Sequence, residues 1–126
     1  MTNSDPDLVD YEMDVYWVVT AGHDPVEWLN KYPGRWKLMH VRDRYRDEKV
    51  AELKAQAEAN GEEEGDWPIK ASCVLGTGKI NFPRVLGVAK DVGVELFHVE
   101  QERYDGMTSM EAARRNAQFM DQVKLM

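Results

Sequence analysis

Apolar and polar positions alternate between two periods along this chain. The stretch YEMDVYWVV, Tyr11 to Val19, is rich in Val, Tyr and Trp and predicts a first strand. Asp14 falls in its middle, with Glu12 two residues earlier on the same face. Trp36–Val41 (WKLMHV) predicts a second strand and Glu95–Val99 (ELFHV) a third. Between them the period changes to that of helices. Asp24 is the expected N-cap of a helix with Pro25 in the first turn, Glu27 completing a capping box, Trp28 and Leu29 on the apolar side, and Tyr32-Pro33-Gly34 as the stop. Val50, Leu53 and Ala57 share one stripe of a helix over 47–60, which runs into the polar break Gly61-Glu-Glu-Glu-Gly65. Asn81 is expected to cap FPRVLGVAKDV, with Gly93 at its end. Thr108 with Glu111 is expected to cap a last helix whose apolar side carries Ala112, Ala113, Phe119, Met120 and Val123. Ser4 is the expected cap of a short turn before the first strand.

Strand, helix, strand, long helical excursion, loop, helix, strand, helix is the order of parallel βα units. Three strands make a narrow parallel sheet, a form that normally needs both faces covered.

The 126 residues make one domain of ordinary size. Sixteen Lys and Arg against 23 Asp and Glu give a net charge of −7, which opposes non-specific binding to a phosphate backbone. The expectation is therefore no nucleic-acid partner. It is also no membrane, because no apolar run approaches a span of ~20 residues. The start, MTNSDPDLVD, lacks the basic and apolar segments of a signal peptide, and the single Cys73 suits a reducing cytoplasm.

Sites in parallel α/β folds lie at the carboxyl ends of the strands. Asp14, His40 and Glu100 stand at or near those ends, one per strand, and an Asp, a His and a Glu together form a donor set for a divalent ion. Each also has a plainer reading. Asp14 could bond a turn amide or a lysine, His40 could be a satisfied core histidine, and Glu100 could open a solvated cluster with Glu102 and Arg103. Gly76-Thr77-Gly78 lacks the third glycine and the setting of a dinucleotide fingerprint, so it reads as a tight turn. Arg42, Arg44 and Arg46 form a charged loop, His98 reads as packing or as facing the outer helix layer, and Cys73 has no histidine partner for a nucleophile.

The runs DPDLVDYEMDVYWVVTAGHDPVEWLNKYPGRWKLMHVRD and LGTGKINFPRVLGVAKDVGVELFHVEQE resemble the sugar phosphate isomerase/epimerase family, within the xylose-isomerase-like TIM-barrel superfamily. The resemblance covers nearly all of residues 5–124. It implies an α/β fold, the C-terminal part of a (β/α)8 TIM barrel, with the three strands matching the last three of eight. Residues 1–126 are then one partial barrel domain with a helical and loop insertion over 47–70. The resemblance implies a divalent cofactor (Mn, Mg, Co or Zn) held by Asp14, His40 and Glu100, with Glu100 also moving a proton next to a carbonyl through an enediolate. Trp17, Arg42 and Asp43 are the implied substrate-binding positions. Trp17 stands where related epimerases carry a histidine, and Arg42 where a lysine is common. The first glutamate ligand of the family has no counterpart. The implied partners are a sugar or sugar phosphate and either a second copy or a chain carrying the complementary N-terminal barrel. The alternatives are a keto-sugar or inositol-type lyase or dehydratase, and a non-catalytic interaction fragment. An abasic-site nuclease is disfavoured by three histidines and a charge of −7.

Overall fold

A computed structural model of the chain describes residues 3–62 and 67–126. Its main sheet is parallel, in the order β1 (Tyr11–Asp14), β2 (Trp36–Val41), β5 (Leu96–Val99). The chain is thus a run of parallel βα units, the architecture of a partial barrel.

The first strand is shorter than its residue types suggest. It ends at Asp14, and Val15–Thr20 is a helix, α1. Val, Tyr and Trp favour strands only through the packing they find there. Here Val15 and Tyr16 find burial on a helix, whose start is fixed by the Asp14 side chain accepting from the Trp17 N–H. Asp14 therefore stands at a strand end rather than in mid-strand. The other expected caps form. Asp24 accepts from Val26 N at the start of α2 (Pro25–Lys31), Asn81 from Arg84 N at α5 (Phe82–Asp91), and Thr108 from Glu111 N at α6 (Ser109–Gln122). In the first turn it is Asp5 that caps, through Asp7 N, while Ser4 meets the Tyr11 hydroxyl.

The strands share one register. Asp14 lies beside His40, and His40 beside His98. Met13, Met39 and Phe97 consequently point to the opposite face, where Leu29, Phe82, Val85, Leu86 and Ala89 of α2 and α5 close the core. The excursion comprises α3 (Asp47–Ala59) and α4 (Trp67–Lys70), with residues 63–66 of the expected polar break outside the described residues. At its base β3 (Asp43–Arg44) and β4 (Ser72–Cys73) pair antiparallel, and Tyr45 N bonds Ala71 O at 2.8 Å. Leu53 is the buried anchor of α3. No helix among the described residues is long and apolar enough to cross a membrane.

Candidate metal centre

Three strand ends bring three side chains together. His40 Nδ1 lies 3.1 Å from Glu100 Oε2 and 3.5 Å from Asp14 Oδ2. One donor atom from each of Asp14, His40 and Glu100 falls within 4.8 Å of the others. An ion held at about 2.1 Å by each donor keeps neighbouring donors roughly 3–4 Å apart, so the two histidine separations fit such a centre. All three side chains are part-exposed, at 24% for Asp14, 29% for His40 and 38% for Glu100, which leaves room for a ligand or water on the open side.

Asp14 divides its oxygens. Oδ1 caps α1 through Trp17 N at 3.2 Å, and Oδ2 turns to His40. The turn amide and the site are therefore both served by one carboxylate. The far nitrogen of the ring, Nε2, meets the Glu12 carboxylate. When Nε2–H is donated to Glu12, the Nδ1 lone pair faces two carboxylate oxygens at once. A proton on Nδ1 could be shared with only one of them well, whereas a divalent cation can bind all three. The donor chemistry thus fits a borderline divalent ion.

The remaining expected site residues separate. Trp17 is 40% exposed on the first turn of α1, three residues beyond Asp14. Arg42 is 2% exposed, with its guanidinium 3.9 Å from the Tyr16 ring centroid and donating to Glu102 at 3.1 Å. That makes it a brace between α1 and the segment that follows β5. Asp43 is fully buried. Its carboxylate accepts from four backbone N–H groups, of Arg44, Gly76, Gly78 and Ile80, at 2.8–3.3 Å. Three of these four donors belong to the 76–80 turn, so the buried carboxylate holds that turn against β3. Burial pushes the Asp43 carboxyl up from its usual range, against those four bonds.

The turn reading of Gly76-Thr77-Gly78 gains a cause. A Cβ on Gly78 would lie 2.1 Å from the Arg44 carbonyl oxygen, and Gly76 sits at φ +85°. Cys73 is buried, and desolvation first, with nearby Asp43, pushes its thiol up to about 12, consistent with an inert core cysteine.

Two residues near the site escaped the sequence reading. Glu12 was visible as a same-face neighbour of Asp14, but only the register against β2 brings it to His40. His98 faces His40 in T-shaped contact, ring centroids 6.0 Å apart, and is not on the helix-covered face. Its i, i+2 relation to Glu100 was the available signal. Glu100 also borders an open groove of about 550 Å³ between the end of β5 and α6, lined in part by Val99, Ala112, Asn116 and Met120.

The chain is similar over most of its length to two solved structures, each a sugar phosphate isomerase/epimerase from Parabacteroides distasonis ATCC 8503. One is 31% identical with a TM-score of 0.68, covering 96% of this chain and 33% of that one. The other is 28% identical with a TM-score of 0.69, covering 98% of this chain and 36% of that one. The chain thus spans about a third of the length of the structures it matches. No family model and no curated protein matches it.

Proposed function

We propose that the chain belongs to the sugar phosphate isomerase/epimerase family and supplies part of a divalent-metal-dependent site of that kind. The observation that carries this reading is the placement of two carboxylates, Asp14 and Glu100, against one imidazole nitrogen of His40 at adjacent strand ends. The likeness to two solved sugar phosphate isomerase/epimerases supports the substrate class. Asp14, His40 and Glu100 would hold the ion, and Mn²⁺, Mg²⁺, Co²⁺ and Zn²⁺ are all compatible with that donor set. When bound, such an ion polarises a carbonyl and steadies the negative charge that develops on an adjacent oxygen.

The chain's own residues do the rest. Glu100, the most exposed of the three, takes or returns a proton on the carbon next to the carbonyl, the transfer that passes through an enediolate. Asp14, tied to the α1 backbone, keeps its second oxygen aimed at the site. Trp17 forms an apolar wall at the mouth. A reducing compartment such as the cytoplasm suits the buried free thiol of Cys73.

The same reading includes a protein partner. Among the described strands, β1 and β5 each pair only with β2, and Leu96 and Val99 of β5 are 56% and 39% exposed. Unpaired parallel edges with apolar side chains favour association with a second copy or with a chain bearing further βα units.

The metal claim is tested by thermal unfolding with and without excess Mn²⁺. A ligand that binds only the folded state raises the melting temperature. A rise in the wild type, lost in Asp14→Ala, His40→Ala and Glu100→Ala, supports the site. A rise that survives all three substitutions removes it.

A further inference from the structure

We propose that Glu12 is the positioning residue of the centre. It holds the Nε2–H of His40 and so presents Nδ1 to the ion. The inference rests on the metal reading of Asp14, His40 and Glu100 and assigns a task to a residue outside that set.

Glu12 and Asp14 are i, i+2 on β1 and project from the same face as Leu38 and His40 on β2. Parallel register sets Asp14 opposite His40 and Glu12 opposite Leu38, one step back along the strand. The imidazole therefore has a carboxylate on each side. Glu12 meets Nε2, while Asp14 and Glu100 lie 3.5 and 3.1 Å from Nδ1.

An imidazole's two nitrogens point away from each other across the ring, so a carboxylate bonded at Nε2 cannot reach an ion bonded at Nδ1. Glu12 is thus not a substitute for a fourth ligand. What it can do is select the tautomer. A carboxylate accepting from Nε2–H leaves the lone pair on Nδ1 and stops the ring from turning. His98, edge-on to the same ring at 6.0 Å, limits its movement on the β5 side. At 35% exposure the Glu12 carboxylate is not required for burial of the core, so its replacement leaves the core intact.

The test uses the full chain. In metal-free protein held at a pH high enough for a neutral ring, two-bond ¹H–¹⁵N correlations read which His40 nitrogen carries the proton. Wild type and Glu12→Gln, which keeps an acceptor oxygen, are expected in the Nε2–H form, and Glu12→Ala in a mixture. Calorimetric titration with Mn²⁺ is expected to give about 10- to 100-fold weaker binding in Glu12→Ala, with Glu12→Gln recovering part of the loss. A Glu12→Ala protein with the wild-type tautomer and the wild-type affinity overturns the proposal. So does a Glu12→Gln protein as weak as Glu12→Ala. If the tautomer follows Glu12 but the wild type binds no Mn²⁺, the metal reading falls, and with it the claim that Glu12 serves a ligand. The two failures are therefore distinguishable.

Discussion

Asp14 and Asp43 show how one residue type is assigned opposite tasks by its neighbours. Asp14 is part-exposed, gives one oxygen to a helix start and keeps the other for the site. Asp43 is sealed, and its two oxygens gather four backbone amides. Replacing Asp43 by Ala would strand those donors in the interior. At roughly 1–3 kcal/mol for a buried unsatisfied group, the loss is expected to exceed about 3 kcal/mol in urea unfolding. Asp14→Ala loses a cap and is expected to cost only about 1 kcal/mol. Cys73 gives a second check at this scale. With its thiol pushed up to about 12, it is expected to resist a thiol reagent at pH 8 in the folded chain and to react once urea unfolds it. Ready reaction of the native protein contradicts the burial assigned to it.

The elements that carry the site were legible where pattern and packing agree. β2 was expected over Trp36–Val41 and occupies those residues, because its apolar positions meet α2 and α5 on one face. Asp24, Asn81 and Thr108 were readable as caps because a side-chain oxygen before a helical run has one local use. Val15–Thr20 was not legible as a helix. β-branched and aromatic residues read as strand, and what decides otherwise is the capping bond from Asp14 and the burial of Tyr16 under Arg42, a contact from another strand end. The partnership of Glu12 with His40 was hidden for a related reason, since register between strands is not written in either one alone. Metal-ligand candidates were readable through strand-end placement. The burial of Asp43 needed the 76–80 turn and that of Arg42 the Tyr16 ring and Glu102, long-range contacts that no local pattern announces. That turn gives the prediction for this scale. Gly78→Ala would drive a methyl onto the Arg44 carbonyl oxygen, and about 1–3 kcal/mol of stability is expected to be lost, measured as a shift in the urea midpoint.

The described residues form a run of parallel βα units, with α2 and α5 closing one face of the main sheet and the candidate centre at the carboxyl ends of its strands. Its pH response should be local as well as global. Burial opposes ionisation of Asp105, yet hydrogen bonds from Arg103 and Tyr45 hold its carboxyl below the usual 3.8. A group with a lowered folded value stabilises the fold above its unfolded value, about pH 4, and that contribution fades as pH falls through the folded value. The melting temperature of Asp105→Asn is therefore expected to fall less steeply below pH 4 than that of the wild type. Equal slopes would contradict the Arg103–Asp105–Tyr45 clasp. The exposed edge at Leu96 and Val99 predicts association that rises with concentration in sedimentation velocity, and a dilute, stable monomer at all concentrations would count against it. The central claim is that three strand ends form one metal centre, and a crystal structure grown with Mn²⁺ tests it most directly by anomalous scattering. The account predicts one manganese peak about 2.0–2.3 Å from Asp14 Oδ2, His40 Nδ1 and Glu100 Oε2. A peak bound elsewhere, or no peak between these residues at saturating Mn²⁺, would contradict it.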